Sequence, residues 1–295
     1  MNKYKYYAYK ILIFVLLRLP DGFFALLLKF AFPVYRILHT KRAYGRVDRL
    51  LRETGFWGRK AMRRPRISPR DVFESLYWNG IDSYRLLAGI PSATRRVRIE
   101  NEHIIMDAAK AEPVAAISIH QGAFENMHRT LCNYSQHVHL VTNAFKNTEL
   151  TQVVRDLRYH PHLSEYNIED VAQVLRNLFK TRGILAMVVD QSRAPKGNKI
   201  SLFDKESLLY LRLPIKANQM GASIVTFRTY CENIRQNGRW VRQHVVRFEN
   251  YYPPKMAATP QGEEMLVKAI GNDVERWIGE HPEQWTWNYH RNFKV

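Results

Sequence analysis

Past residue 110 the chain alternates short apolar runs with segments of helical period, and this restricts the fold more than any other feature. Pro113–His120 (PVAAISIH) and Ile184–Val189 (ILAMVV) are continuous apolar runs, as expected of strands buried on both faces. His137–Thr142 alternates and is rich in strand formers, and Ser223–Thr229 and Trp240–Phe248 read as further strands. Between them the spacing predicts helices over Glu125–Leu131 and Thr148–Arg158, and another capped by Asn167. That last helix has Glu169 and Asp170 at its start, Val171, Val174, Leu175 and Leu178 on its apolar face, and Gly183 at its stop. Glu263–Ile278 closes the pattern as an amphipathic helix. Strands alternating with helices imply α/β layers. There is no internal repeat.

The N-terminus is different. Ile11–Tyr35 has 19 apolar residues in 25, but its longest pure run, Ile11–Leu17, is seven. A clean membrane-spanning helix needs about 20. Pro20-Asp21-Gly22 is a turn signal in the middle. The expectation is two short helices dipping into one leaflet. A tilted single span and two amphipathic helices on the protein's own core remain open. A cleaved signal peptide is disfavoured, because Lys29 follows the apolar runs and no A-x-A-like site stands near. Tyr4, Tyr6, Tyr7 and Tyr9, interleaved with Lys3, Lys5 and Lys10, suit an interfacial position.

The chain's net charge is +18, which favours an anionic partner. Its densest basic belt, residues 36–70, has 12 Lys/Arg and two acids and adjoins the apolar segment. An anionic lipid surface attracts that arrangement. Nucleic acid would instead need basic and aromatic residues on one folded face, so no nucleic-acid partner is expected. Within the belt, Arg59–Pro69 reads as a Pro-broken connector, and a helix starts at Ser68 with Asp71 and Glu74 in its first turn. Two cysteines, Cys132 and Cys231, build no disulfide framework and indicate a reducing compartment.

The sharpest local motif is Ile119-His120-Gln121-Gly122-Ala123-Phe124-Glu125. A histidine ends an apolar strand, at the strand end where α/β folds gather ligands. A neutral imidazole there can take the proton of an attacking hydroxyl. A carboxylate on the other ring nitrogen would fix the tautomer, a role for which Glu125 is the candidate. Alone, H-x-x-x-x-E is a weak signal, and a strand-end histidine is more often structural. Glu125-x-x-His128 and Glu100-x-x-His103 have a spacing used by di-iron bundles, but a strand separates them and no metal is expected. Neither a G-x-G-x-x-G nor a Walker pattern argues for a nucleotide, so no cofactor is expected.

Around these residues the chain resembles the lysophospholipid acyltransferase superfamily, and within it the lipid A biosynthesis, or late, acyltransferases. Four blocks agree in order. They are the strand with H-x-x-x-x-E over 113–125, then 141–158 with Lys146-Asn147 and Arg158, then Gly183 to Asp190-Gln191, and the ending His281–Lys294 with its P-E-Q-aromatic-x-W. The resemblance implies a glycerolipid acyltransferase-like fold: a mixed central sheet flanked by helices, with an N-terminal membrane-associated helical segment. It divides the chain into a membrane segment (1–35), a basic helical region (36–110) and a catalytic domain (111–295). It implies transfer of a fatty-acyl group from acyl carrier protein or coenzyme A to a lipid hydroxyl, for lipid A and lipopolysaccharide biosynthesis. The place implied is the cytoplasmic side of the bacterial inner membrane.

The resemblance makes His120 the general base and Glu125 its partner, and carries substrate binding to Arg158 and Asp190. Arg158 suits an acceptor phosphate or the acyl carbonyl, against a plain reading as solvated helix surface beside Arg155. Asp190 ends a strand, against a reading as a cap or surface ion pair. Lys146 and Asn147 read as loop structure, and Trp285 and Trp287 as packing. No serine or cysteine stands in a nucleophile elbow, so transfer is expected to be direct. The chain departs from the family at Ser201–Glu206, where a Phe-x-Pro-Phe-Phe-Gly-like stretch is usual, and that leaves the acceptor open between a lipid A precursor and a lysophospholipid, an amino-acid lipid or a glycolipid; a basic membrane- or nucleic-acid-binding protein without catalysis is the alternative from another class.

Overall fold

The computed structural model of the protein describes residues 2–39, 43–57, 66–142, 147–191, 197–236 and 238–287. Lys146, most of the 59–69 connector and the tail from Asn288 lie outside them. In chain order the strands are β1 (Val97–Glu100), β2 (Val114–Ser118), β3 (Val138–Thr142), β4 (Leu163–Asn167), β5 (Ile184–Val188), β6 (Asn198–Leu202), β7 (Lys205–Leu209), β8 (Ser223–Gln236) and β9 (Arg239–Tyr252). The helices are α1 (Lys3–Leu16), α2 (Asp21–His39), α3 (Gly45–Glu53), α4 (Pro69–Leu87), α5 (Pro91–Thr94), α6 (Glu102–Ala111), α7 (Met127–Leu131), α8 (Thr148–Arg158), α9 (Val171–Thr181), α10 (Arg212–Gln219) and α11 (Pro260–Glu280).

Seven strands form one sheet in the order β1-β9-β8-β2-β5-β3-β4. The run from β8 through β4 is parallel, and β9 pairs antiparallel with β8. The sheet is therefore mixed, with helices on both faces. Every residue of β2 is buried. Its Ala115 and Ile117 join the core under α9 and α11, while Val114 and Ala116 join the core under α6 and α7. A strand covered on both faces has no polar face, hence the unbroken apolar run. β1 precedes residue 111, so the sheet begins within the basic helical region.

Ser68 opens α4 with a capping box: its hydroxyl accepts from the Asp71 N–H while Asp71 accepts from the Ser68 N–H, and Pro69 follows at the first turn. Asn167 does not cap a helix. It closes β4, its N–H donates to Asp170 Oδ2 at 3.1 Å, and Asp170 stands at the start of α9. β4 and the β6–β7 hairpin escape sequence patterning. β4 (LSEYN) is a partly exposed edge strand, and the hairpin pairs only with itself.

At the N-terminus α1 and α2 are separate helices meeting at 107°, with the break at Pro20. Among the described residues no single helix is long and apolar enough to cross a membrane. Arg85 of α4 holds the corner. Its guanidinium donates to the Leu17 and Leu19 carbonyls at 3.2 and 2.6 Å and to Asp21 at 2.5 Å, satisfying acceptors that the end of α1 leaves open. Tyr6 and Lys10 of α1 both bond Asp156 of α8. Outward, α1 exposes Ile11, Leu12, Phe14 and Val15, and α2 exposes Phe23, Leu26, Phe30, Val34 and Ile37.

Candidate active site

The sheet register assembles the site. β2 and β5 pair from Val114 with Ile184 to Ser118 with Val188, and Val189 N–H donates to the Ser118 carbonyl at 2.9 Å. Each strand then runs two residues beyond its paired end, to His120 on one and Asp190 on the other. Parallel neighbours in register leave the sheet at the same edge, so the two side chains meet. His120 Nδ1 lies 2.6 Å from Asp190 Oδ1, and the His120 backbone N–H donates to both carboxylate oxygens at 3.1 Å. The Asp190 side chain is 1 % exposed. A second donor, Trp285 Nε1, reaches Asp190 Oδ2 at 2.9 Å.

After His120 the chain turns at Gly122, whose φ is +58°. A Cβ there would lie 2.6 Å from the Thr229 carbonyl oxygen of β8, so a side chain is excluded by both conformation and space. The turn puts Phe124 against the imidazole, ring centroids 4.6 Å apart, and Glu125 in a single 3-10 turn before α7.

The expected pairing of Glu125 with His120 is not the one the structure shows. Glu125 Oε2 accepts from Arg158 Nε at 3.1 Å and Nη2 at 2.6 Å. Arg158, at the end of α8, is buried, and burial works against its charge. Glu125, with smaller help from Glu165 and Tyr84, outweighs this and raises its pKa. A buried guanidinium without a counter-ion is strongly unfavourable, and that demand commits Glu125. Glu165 lies 3.9 Å away on the far side; burial raises its carboxyl while Arg158 opposes the rise. His128 packs beside this group and is held neutral: burial, with Arg158 next, pushes its pKa down to about 3.

The family resemblance carries substrate binding to Asp190 and Arg158. Asp190 instead stands behind His120, and the Arg158 fork is occupied by Glu125. Glu125 lines the cavity; neither Arg158 nor Asp190 is among its lining residues. Asn147 caps α8 by accepting from the Leu150 N–H at 2.8 Å.

His120 stands at one end of a cavity of about 650 Å³ between α2 and α4. From α4 come Phe73, Leu76, Tyr77, Gly80 and Tyr84, one helical stripe. From α2 come Leu28, Ala31, Phe32 and Tyr35, the face opposite its exposed apolar residues. Gln191 and Thr286 line the His120 end. These helices precede the motif and carry no motif of their own; only their apolar stripes could have marked them. The Ser201–Glu206 departure falls in the β6–β7 hairpin, away from this wall: Phe203 packs on Phe56 and Trp287, at 5.1 and 6.4 Å.

The two Glu-x-x-His pairs do not converge, since Glu125 holds Arg158 and Glu100 pairs with Arg98. Asp82, Cys231 and His244 bring ligand atoms within 4.8 Å of one another. Arg242 already donates to the Asp82 carboxylate at 2.9 Å, supplying the positive charge a cation would. Burial pushes the Cys231 thiol up to about 12, away from the thiolate that binds metal.

In comparisons with known proteins, the family described as bacterial lipid A biosynthesis acyltransferase matches residues 91–295. No curated protein matches. Among solved structures the chain is similar to the 1-acyl-sn-glycerophosphate (LPA) acyltransferase from Thermotoga maritima. The two share 15% identity over 73% of this chain and 88% of that one, with a TM-score of 0.36.

Proposed function

The chain belongs to the bacterial lipid A biosynthesis acyltransferase family and is an acyltransferase, and from that premise we propose that His120 is its general base, held by Asp190. The observation that carries this reading is an imidazole, fixed by a buried carboxylate, at the head of an apolar cavity. With Nδ1–H donating to Asp190, Nε2 is the ring nitrogen left to accept a proton. A lipid hydroxyl gives its proton to Nε2 as its oxygen attacks the carbonyl carbon of an acyl thioester. The C–O bond forms, the C–S bond breaks, and the imidazolium returns the proton to the departing thiolate. Asp190 stabilises the imidazolium between these steps. The acyl chain lies in the α2–α4 cavity.

The thioester is carried by acyl carrier protein or coenzyme A. The family description favours a lipid A precursor as the acceptor; another lipid with a free hydroxyl fits the same chemistry. The exposed apolar faces of α1 and α2, beside the basic belt, suit attachment to one leaflet on the cytoplasmic side of the inner membrane. Lipid mass spectrometry of cells with the wild-type gene, a deletion, or His120→Ala tests the reading. We expect one lipid species to lose an acyl chain in the deletion and remain short in His120→Ala, with a rate loss of about 10²–10⁴. An unchanged lipid profile, or full rescue by His120→Ala, refutes it.

A further inference from the structure

We infer that Trp285 is a positioning residue for the His120–Asp190 pair, acting through its indole N–H; the inference rests on the general-base reading above. Packing alone needs only the apolar rings, and Trp285 does pack against Trp287 at 4.7 Å. Its one polar atom, however, lands on the carboxylate that holds the base, 2.9 Å from Asp190 Oδ2. Both carboxylate oxygens are thereby engaged, Oδ1 by the imidazole and Oδ2 by the indole, and the His120 backbone N–H spans them. A buried carboxylate held on three sides cannot rotate, so its Oδ1 stays aimed at Nδ1.

The surrounding chain is built to deliver that N–H. The Gln284 side-chain amide makes two hydrogen bonds to the backbone of Cys231 in β8, each 2.8 Å. The Gly122 N–H donates to the Gln284 carbonyl at 3.2 Å, and the Thr286 N–H to the His120 carbonyl at 3.3 Å. Residues 284–286 are thus sewn between β8 and the His120–Gly122 turn, and the indole between these ties has little freedom. This gives the P-E-Q-W ending a role in the chemistry as well as in the core. Among the described residues, the other charged or titratable groups on the cavity that His120 lines are Glu125 from the 3-10 turn, with Arg158 of α8 behind it, Tyr35 of α2, and Tyr77 and Tyr84 of α4. From the C-terminal segment Trp285 and Thr286 bring no charge.

The donor also holds the carboxylate in the plane that meets the imidazole. Removing it leaves Oδ2 with the His120 backbone N–H alone and frees the carboxylate to turn, so the Nδ1–H···Oδ1 hydrogen bond loses its fixed geometry. The test replaces the Trp285 indole by benzothiophene, which keeps ring volume and exchanges the N–H for sulfur. Trp285→Phe serves as the genetically simple second variant. The first readout is the His120 Nδ1–H proton resonance, followed by NMR in the full-length protein in detergent micelles and assigned with His120→Gln. It needs no substrate. A downfield Nδ1–H signal is expected in wild type, and a shifted or exchange-broadened one once the indole N–H no longer holds the carboxylate. The second readout is turnover of acyl-coenzyme A and acyl-carrier-protein thioesters. kcat should fall roughly tenfold to a hundredfold with KM unchanged, because Trp285 does not line the cavity. A folded benzothiophene variant with an unmoved His120 Nδ1–H signal overturns the inference and leaves Trp285 as packing. Failure of the wild-type protein to transfer any acyl group would instead sink the acyltransferase chemistry, while the Nδ1–H signal still reported on Trp285.

Discussion

Exchanging Asp190 for asparagine and Glu125 for glutamine separates the two ways of assigning a partner to His120. Asp190 receives three donors in a site shielded from water: the His120 backbone N–H, the imidazole and the Trp285 indole. Asparagine offers one oxygen and an amide NH₂ in the same volume. If its oxygen faces the indole, the NH₂ faces Nδ1, which must then accept, and the proton moves to Nε2. In that tautomer the ring cannot act as a base. The imidazolium also loses its counter-charge, and unit charges 4 Å apart at an effective dielectric of 20 interact by about 4 kcal/mol. At 1.4 kcal/mol per decade, kcat for Asp190→Asn should fall about 10³-fold. Glu125→Gln keeps an oxygen for Arg158 and leaves the His120–Asp190 bond intact. Its expected cost is about tenfold in activity, together with a lower unfolding midpoint from a buried guanidinium whose remaining carboxylate among the described residues, Glu165, is 3.9 Å away. Steady-state transfer assays on purified protein, with circular dichroism to confirm folding, read both. A 10³-fold loss in Glu125→Gln beside a mild effect in Asp190→Asn would refute the reasoning and restore the five-residue pairing suggested by the sequence.

Two further outcomes follow from geometry away from the dyad. Leu26→Asp with Phe30→Asp places two charges on the exposed face of α2, opposite the face that lines the cavity. Binding to anionic vesicles, measured by co-sedimentation, should drop at least tenfold; unchanged binding would remove α2 from the membrane attachment. His128 has a folded pKa of about 3 against an ordinary 6.5, so its contribution to stability is present above pH 6.5 and is lost as pH falls from there to about 3. The full loss is about 5 kcal/mol. Thermal melts across that range should show His128→Leu losing less stability than wild type on acidification, and parallel curves would disprove the assignment.

The layers of this protein are written locally. β2 and β5 are unbroken apolar runs because both faces are covered, and α8 and α9 announce themselves by apolar stripes. The break between α1 and α2 falls at Pro20, and the capping box at Ser68 starts α4 where the residues place it. Each signal acts within one turn of helix or one strand, so the order of residues suffices. β4 and the β6–β7 hairpin were missed for the same reason, since partly exposed strands leave a weak pattern.

Pairings across the fold follow another rule. His120 and Glu125 are five residues apart, and the sequence put a base and a carboxylate within reach of each other. His120 and Asp190 are 70 residues apart and meet only because β2 and β5 pair in register and end together. Arg158 is 33 residues from Glu125 and claims it because its own burial demands a counter-ion. The sequence by itself determined the layers, the strand-end His120 and the apolar N-terminal helices. Which carboxylate meets His120, which one neutralises Arg158, and where the Trp285 indole N–H lands were decided by tertiary structure. Hydrogen bonds and charge neutralisation depend on distances of about 3 Å, and only strand register and burial fix those.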